Sequence, residues 1–248
     1  MPDLAYIKTY ATSTGYVEVH IASASSNFQT RILETATAFG EENNGTWLLV
    51  PSSNSDLPNL AYIKTIGTGS NTVEVHIASG ASKYATRTLD TGTAFGEETD
   101  GVWALYDYDN DGGLDLVFIK SSNTGSGDIE VHVASAASGY KTRILDTKTV
   151  FGEETNGVWA LSPYSSTTAT DLTYIKDINT GSGDTEVHVA SGSSGFATRI
   201  LDVASGFAEE QNGVWKLIDF NKDGVLDLTY IKYKNTGTGT VEVHVARG

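Results

Sequence analysis

The 248-residue chain has no cysteine, which excludes a disulfide framework and any thiolate-held zinc or iron–sulfur centre. Positive charge is in short supply: 16 Lys and Arg stand against 31 Asp and Glu, a formal net charge of −15. Such a surface repels phosphate backbones and anionic bilayers, so nucleic acid and membrane insertion are excluded as expected partners. No eighteen apolar residues run together, and the start, Met1-Pro2-Asp3-Leu4, has neither a basic nor an apolar leader region. Charged residues make up only 19% against 39% hydrophobic, which fits a soluble globular chain and not an acidic disordered tail.

What the chain does have is a period. Trp47, Trp103, Trp159 and Trp215 are 56 residues apart, as are all five histidines, His20, His76, His132, His188 and His244. The same step relates Lys8, Lys64, Lys120, Lys176 and Lys232, and Arg31, Arg87, Arg143 and Arg199, with no gap anywhere. The chain is therefore one repeat domain, 1–248, of units 1–56, 57–112, 113–168 and 169–224 with a partial unit 225–248. Within a unit, Ala5 to Lys8 and Tyr16 to Ala22 alternate in the strand manner around a Gly-bearing turn, and Val17, Val19 and Ile21 share one face. Thr30 to Leu33 and Gly45 to Leu49 supply a third and a fourth strand. Four short strands per unit, rich in glycine and aromatics, predict an all-β fold, a β-propeller of four-stranded repeats.

Closure is less direct. Five full units would need 32 residues more than the chain has, about one Arg strand plus one Trp strand. Residues 4–23 and 228–247 are equivalent, so the sequence begins and ends on the same hairpin. A five-bladed ring with an incomplete blade is expected. The alternatives are a four-bladed ring with a spare terminal hairpin, free to pair with another molecule's edge, and a segment of a longer propeller.

The most specific chemistry lies between the Trp strand and the Tyr/Phe-Ile-Lys strand. One loop reads Asp107-Tyr108-Asp109-Asn110-Asp111-Gly112-Gly113-Leu114-Asp115, and another Asp219-Phe220-Asn221-Lys222-Asp223-Gly224-Val225-Leu226-Asp227. Side-chain oxygens at positions 1, 3, 5 and 9, a glycine at 6 and the carbonyl of Gly113 or Val225 suit a hard cation that takes six to eight oxygens. Calcium, about two structural ions per chain, is the expected cofactor. Asp, Asn and Gly are also ordinary turn residues, but the loops at the same phase, 51–59 and 163–171, lack the carboxylates at 1, 3 and 5 and are expected to bind no metal.

These loops, set between strands of a repeated blade, resemble the FG-GAP/VCBS repeats of integrin-like propellers. Phe39-Gly40, Phe95-Gly96 and Phe151-Gly152 look like the Phe-Gly of that signature, whereas Phe207-Ala208 departs from it and no Gly-Ala-Pro follows. Within that group the chain looks most like fungal lectins of the Psathyrella velutina type and repeat modules of secreted microbial glycan-degrading enzymes. The resemblance implies an extracellular protein that binds N-acetylglucosamine-type sugars between neighbouring blades.

All five units carry Tyr/Phe-x-Lys and Glu-x-His motifs, and the four complete ones also carry the Arg, Glu-Glu and Asn/Asp-Gly-x-Trp elements. Sugar recognition needs an aromatic face and a few fixed polar groups, which makes Trp47, Trp103, Trp159, Trp215, His76, His132 and His188 the candidate contacts, with avidity from several sites. The same residues would equally serve blade packing. Five histidines on five units cannot gather into a zinc site. Glu41-Glu42 and its repeats are adjacent, so strand geometry would point them apart rather than pair them for glycoside hydrolysis. No nucleophile elbow or phosphate loop is present, so a binding protein is expected and not an enzyme. The rival is a structural or adhesive protein that self-assembles through its terminal hairpins into a homo-oligomer.

Overall fold

The computed structural model describes every residue except Thr167 and Ala169. Eighteen strands form five antiparallel sheets arranged as a five-bladed propeller. Blade 1 holds β1 (Leu4–Lys8), β2 (Tyr16–Ala22) and β3 (Arg31–Gly40), and blade 2 holds β4 (Gly45–Val50), β5 (Asn59–Lys64), β6 (Thr72–Ala78) and β7 (Arg87–Gly96). Blade 3 is β8 (Gly101–Tyr106), β9 (Asp115–Lys120), β10 (Asp128–Ala134) and β11 (Arg143–Gly152). Blade 4 is β12 (Gly157–Ser162), β13 (Asp171–Lys176), β14 (Asp184–Ala190) and β15 (Arg199–Ala208), and blade 5 is β16 (Gly213–Ile218), β17 (Asp227–Lys232) and β18 (Glu242–Ala246). The Trp strands β4, β8, β12 and β16 touch one another in succession and are innermost.

The two strands missing from a full five-bladed count belong to different blades. Blade 1 has no inner strand and blade 5 no outer one among the described residues. Each 56-residue unit accordingly straddles a blade boundary: residues 1–56 give three strands of blade 1 and the inner strand of blade 2. The four-bladed alternative does not hold, because Leu4, Ala5 and Tyr6 of β1 face Val214 and Ile231 of blade 5 across the remaining junction.

The core lies between blades. Val17, Val19 and Phe39 of blade 1 pack on Leu60 and Tyr62 of blade 2, and equivalent clusters fill the next three junctions. Burial follows the alternation of β2, with Val17 and Val19 fully buried and Ile21 nearly so. The Arg strand is longer than the sequence pattern suggests, running ten residues to the Phe-Gly pair. It does so through an irregularity: opposite β2 the register jumps between Glu18 and Tyr16, leaving Thr37 to Phe39 outside the ladder. The bulge frees the Ala38 N–H, which donates 2.8 Å across to the Tyr84 carbonyl of blade 2. Ala94 to Tyr140 and Val150 to Phe196 repeat the bond at the next two junctions. Tyr84, Tyr140 and Phe196 take a positive φ, 63° to 66°, at the turn that aims this carbonyl.

Inter-blade clefts and acidic loops

Strand register builds the candidate site. Trp47 on β4 lies opposite Tyr62 on β5, which lies opposite His76 on β6. Directly opposed residues in an antiparallel pair have neighbouring side chains, so the three rings form a ladder across the blade. The Trp47 and Tyr62 centroids are 4.1 Å apart and stacked, and Tyr62 and His76 are 5.8 Å apart. Phe39, from the end of the preceding blade's outer strand, meets the Trp47 ring edge-on at 5.2 Å. The glycine two residues before each Trp is a steric demand. A Cβ on Gly45, Gly101, Gly157 or Gly213 would lie within 1.9 to 2.3 Å of the carbonyl of Ile63, Ile119, Ile175 or Ile231.

Above this aromatic floor sits a charged rim drawn from two blades. At the junction of blades 3 and 4, Phe151, Glu154, Lys176, Glu186, His188 and Arg199 line a cleft of about 310 Å³. The junction of blades 2 and 3 places Phe95, Glu98, Lys120, Glu130, His132 and Arg143 around about 240 Å³. Arg143 lies over the Phe95 ring at 4.5 Å and Arg199 over Phe151 at 4.6 Å, each a cation–π contact from one blade to the previous one. Arg87 over Phe39, at 4.9 Å, repeats the contact at the junction of blades 1 and 2. The same arginines pair with Asp90, Asp146 and Asp202, whose carboxylates each accept from the histidine Nδ1 at 2.6 Å.

The Glu-Glu pair follows the strand and is not part of it, and its two members divide their work. Glu97 turns back on its own blade, accepting the Thr68 N–H at 2.6 Å and its hydroxyl at 2.8 Å. Glu98 reaches forward to the next blade, where the Lys120 ammonium donates at 2.8 Å. Lys176 to Glu154 and Lys232 to Glu210 repeat this at 2.9 and 2.8 Å. Burial alone would raise Glu98 and Glu154, but the lysines and the loop amides outweigh it and hold both below the usual carboxylate value. Burial, with Glu154 adding its charge, pushes the Tyr174 hydroxyl well up, so it stays a neutral phenol.

These contacts assign the candidate residues. His76, His132 and His188 stand at the rim, held between Glu74, Glu130 or Glu186 and an aspartate. Trp103, Trp159 and Trp215 are 1–2% exposed. Each has one face on an aromatic ring and its Nε1–H donating to the backbone carbonyl of Glu98, Glu154 or Glu210. Trp47 is packed alike, bonded to Glu42 O and less buried. Trp159 nonetheless lines the cleft between blades 3 and 4, together with Tyr174. The arginine, the forward-reaching glutamate and the lysine, which sequence reading noted as repeated but did not choose, supply the polar lining.

The acidic loops lie at another part of the blades. Asp107, Asp109 and Asp115 each bring a carboxylate oxygen within 4.8 Å of the other two, inside the roughly 5 Å that two oxygens on one calcium can span. The buried Oδ1 of Asp107 has no hydrogen-bond partner, so the residues present fit a cation. Gly112 and Gly224, at position 6, adopt φ of 89° and 88°, the left-handed turn that glycine allows. In the second loop Asn221 replaces a carboxylate, and its Nδ2 donates to Asp223 at 2.8 Å. Asp111 and Asp223 accept the N–H of Gly113 and Val225 at 2.7 and 2.9 Å.

Position 9 has a further duty. Asp115 accepts from the amides of Tyr108 and Ala136, and Asp227 from those of Phe220 and Gly248. Asp171 accepts from Ser165 and Gly192 in a loop without the other carboxylates. Asp3 and Asn59 make the matching bond to Ala24 and Gly80. This side chain is a staple between hairpin ends in every blade, whatever it does for a metal. The expectation for loop 163–171 falls partly on Thr167 and Ala169, which lie outside the described residues. No helix among the described residues is long and apolar enough to cross a membrane. No protein-family model matches the chain, and neither a curated protein nor a solved structure matches it, so the clefts stand on their own geometry.

Proposed function

We propose that the protein is an extracellular, calcium-stabilised lectin that holds one sugar ring at each complete junction between blades. The observation that carries this reading is the threefold recurrence of one cleft, in which Phe, Arg and a Lys–Glu pair from adjoining blades surround a small polar hollow. The volume of about 310 Å³ lies at the lower end of the roughly 300–1,000 Å³ of small-molecule sites and that of about 240 Å³ just below it, a size for a monosaccharide unit. Fixed carboxylates accept from sugar hydroxyls, while Lys, Arg and His donate to ring and acetamido oxygens. The likeness of the acidic loops to FG-GAP/VCBS repeats, and of the chain to lectins with inter-blade sites, makes N-acetylglucosamine-type glycans the class to test first. Weak equivalent clefts on one rigid ring would act through avidity on a glycan-coated surface. Repetition of one group set around a ring also favours binding over catalysis. Calcium would be structural, held in the first loop by Asp107, Asp109, Asp111, Asp115 and the Gly113 carbonyl, and in the second by their equivalents.

The test is a glycan-array screen of the purified chain with calcium and after chelation, followed by titration calorimetry. Binding of N-acetylated sugars with about three sites per chain is the expected result. An absence of glycan binding in both conditions would overturn the proposal.

A further inference from the structure

The second strand of a blade has two neighbours in blades 2 to 5, but β1 of blade 1 pairs only with β2. Its other edge borders a cavity of about 570 Å³ lined by Leu4, Ala5 and Tyr6 on one side and by Val214, Lys216 and Ile231 on the other. The molecule shows four times what belongs on that edge. In blades 2 to 5 it is covered by a strand of the pattern Gly-x-Trp-x-Leu, running antiparallel in one register.

The ring that meets the Trp shows the difference. Tyr62, Phe118, Tyr174 and Tyr230 are 2–4% exposed beneath their indoles, whereas the equivalent Tyr6 is 59% exposed. Tyr6 is already set in the same pose, stacked on His20 at 5.8 Å as Tyr62 is on His76. The backbone is equally prepared. Thr65 and Ser121 donate their N–H groups at 2.9 Å to the carbonyls of Asn44 and Asp100, the residues that lead into the adjoining strands. Backbone groups alternate sides along a strand, so Thr9, Ile7 and Ala5, two or more steps along at the equivalent phase, direct theirs to the uncovered side.

We propose that the β1 edge is an acceptor for one extended peptide segment of Gly-x-Trp-x-Leu chemistry, added as the inner strand of blade 1. The Gly would lie opposite Lys8, the Trp opposite Tyr6 and the Leu opposite Leu4, as Gly45, Trp47 and Leu49 lie opposite Lys64, Tyr62 and Leu60. Main-chain bonds supply the affinity and the Tyr6 ring the selectivity for Trp, the logic of β-strand addition. This acceptor is independent of the glycan reading and uses none of its three complete clefts.

The experiment titrates the intact chain into a fluorescein-labelled peptide of residues 99–107, Thr-Asp-Gly-Val-Trp-Ala-Leu-Tyr-Asp, followed by fluorescence anisotropy. Three changes are compared: the peptide with Trp103→Ala, the peptide N-methylated at Val102, and the chain with Tyr6→Ala. Saturable one-to-one binding that weakens at least tenfold with each change is expected. Methylation separates strand addition from apolar sticking, and exposed Tyr6 is no part of a buried cluster, so its loss leaves the melting temperature in place. No binding by a monomeric chain overturns the proposal, as does binding indifferent to methylation. A dimer that Tyr6→Ala dissociates, with no peptide bound, also overturns it and gives the edge to a second copy.

Discussion

The three complete junctions and the two junctions flanking blade 5 are made from the same repeat, yet they are built differently. At a complete junction the preceding blade gives Phe and the forward-reaching Glu, and the following blade gives Trp, Tyr or Phe, Lys, His and Arg. The junction of blades 4 and 5 has Phe207, Glu210, Trp215 and Lys232 but, among the described residues, no outer strand after β18 to bring an arginine over Phe207; His244 is 42% exposed against 14–16% for His76, His132 and His188. The junction of blades 5 and 1 has the reverse deficit, keeping His20 and Arg31 without a Phe or Trp before them. The bulge-to-turn hydrogen bond follows the same division, joining only blades 1 to 4 among the described residues. The polar clefts and the bulge-to-turn bonds thus share an address, because both need outer strands on each side of a junction.

The largest test of this comparison is on the aromatic ladder. Trp159→Ala should cost about 3–5 kcal/mol of stability, measured by denaturant unfolding. Tyr6→Ala should stay within about 0.5 kcal/mol, because its ring is 59% exposed and belongs to no buried cluster. A comparable loss from both would erase the distinction between the junctions.

Next in size is the metal. If calcium occupies the acidic loops, chelation should lower the melting temperature, with about 2.7 kcal/mol at stake for each ion present at a hundred times its Kd. Asp107→Asn should remove the first loop's share of that response, about half of it if both loops are filled. Asp171→Asn should destabilise the chain to the same extent with and without calcium, since its bonds are to the Ser165 and Gly192 amides.

A sharper division concerns glycan stoichiometry. Arg87→Ala, Arg143→Ala and Arg199→Ala should each delete one site by titration calorimetry. His244→Ala, at the junction where no outer strand follows β18 among the described residues, should delete none.

The smallest effect is on pH. Glu98, Glu154 and Glu210 titrate below their ordinary value of 4.5 when folded. Their contribution is therefore complete above the unfolded pKa and is lost as pH falls through the folded one. Thermal melts should drop below about pH 4.5, and Lys120→Met should shrink the drop at one junction. A drop unchanged by that substitution would place its origin elsewhere.

Much of the fold was legible. The 56-residue step, strand alternation and turn glycines gave five blades, because propeller strands are local in sequence and each hairpin closes within its own unit. The site was legible only in part, since a perfect repeat marks every residue equally. Trp and His shared the same periodicity, and nothing in one unit showed that the indole would be roofed by Tyr while the imidazole stayed at the rim. Arginine was hidden for another reason: Arg199 meets Phe151 across a blade boundary, 48 residues away, which no pattern inside a unit displays. Position 9 of the acidic loops read only as a ligand and not also as a staple, because its staple partners, such as Ala136, are backbone amides with no sequence signature.

The sharing of every cleft between two blades also bears on how such a molecule could grow. Tandem duplication of any 56 consecutive residues would add one whole cleft, whichever residue the copy began on, because the phase of the copy cancels at its two joints. Valency could therefore change by single genetic steps without redesigning a contact, limited only by the number of blades the ring can close around.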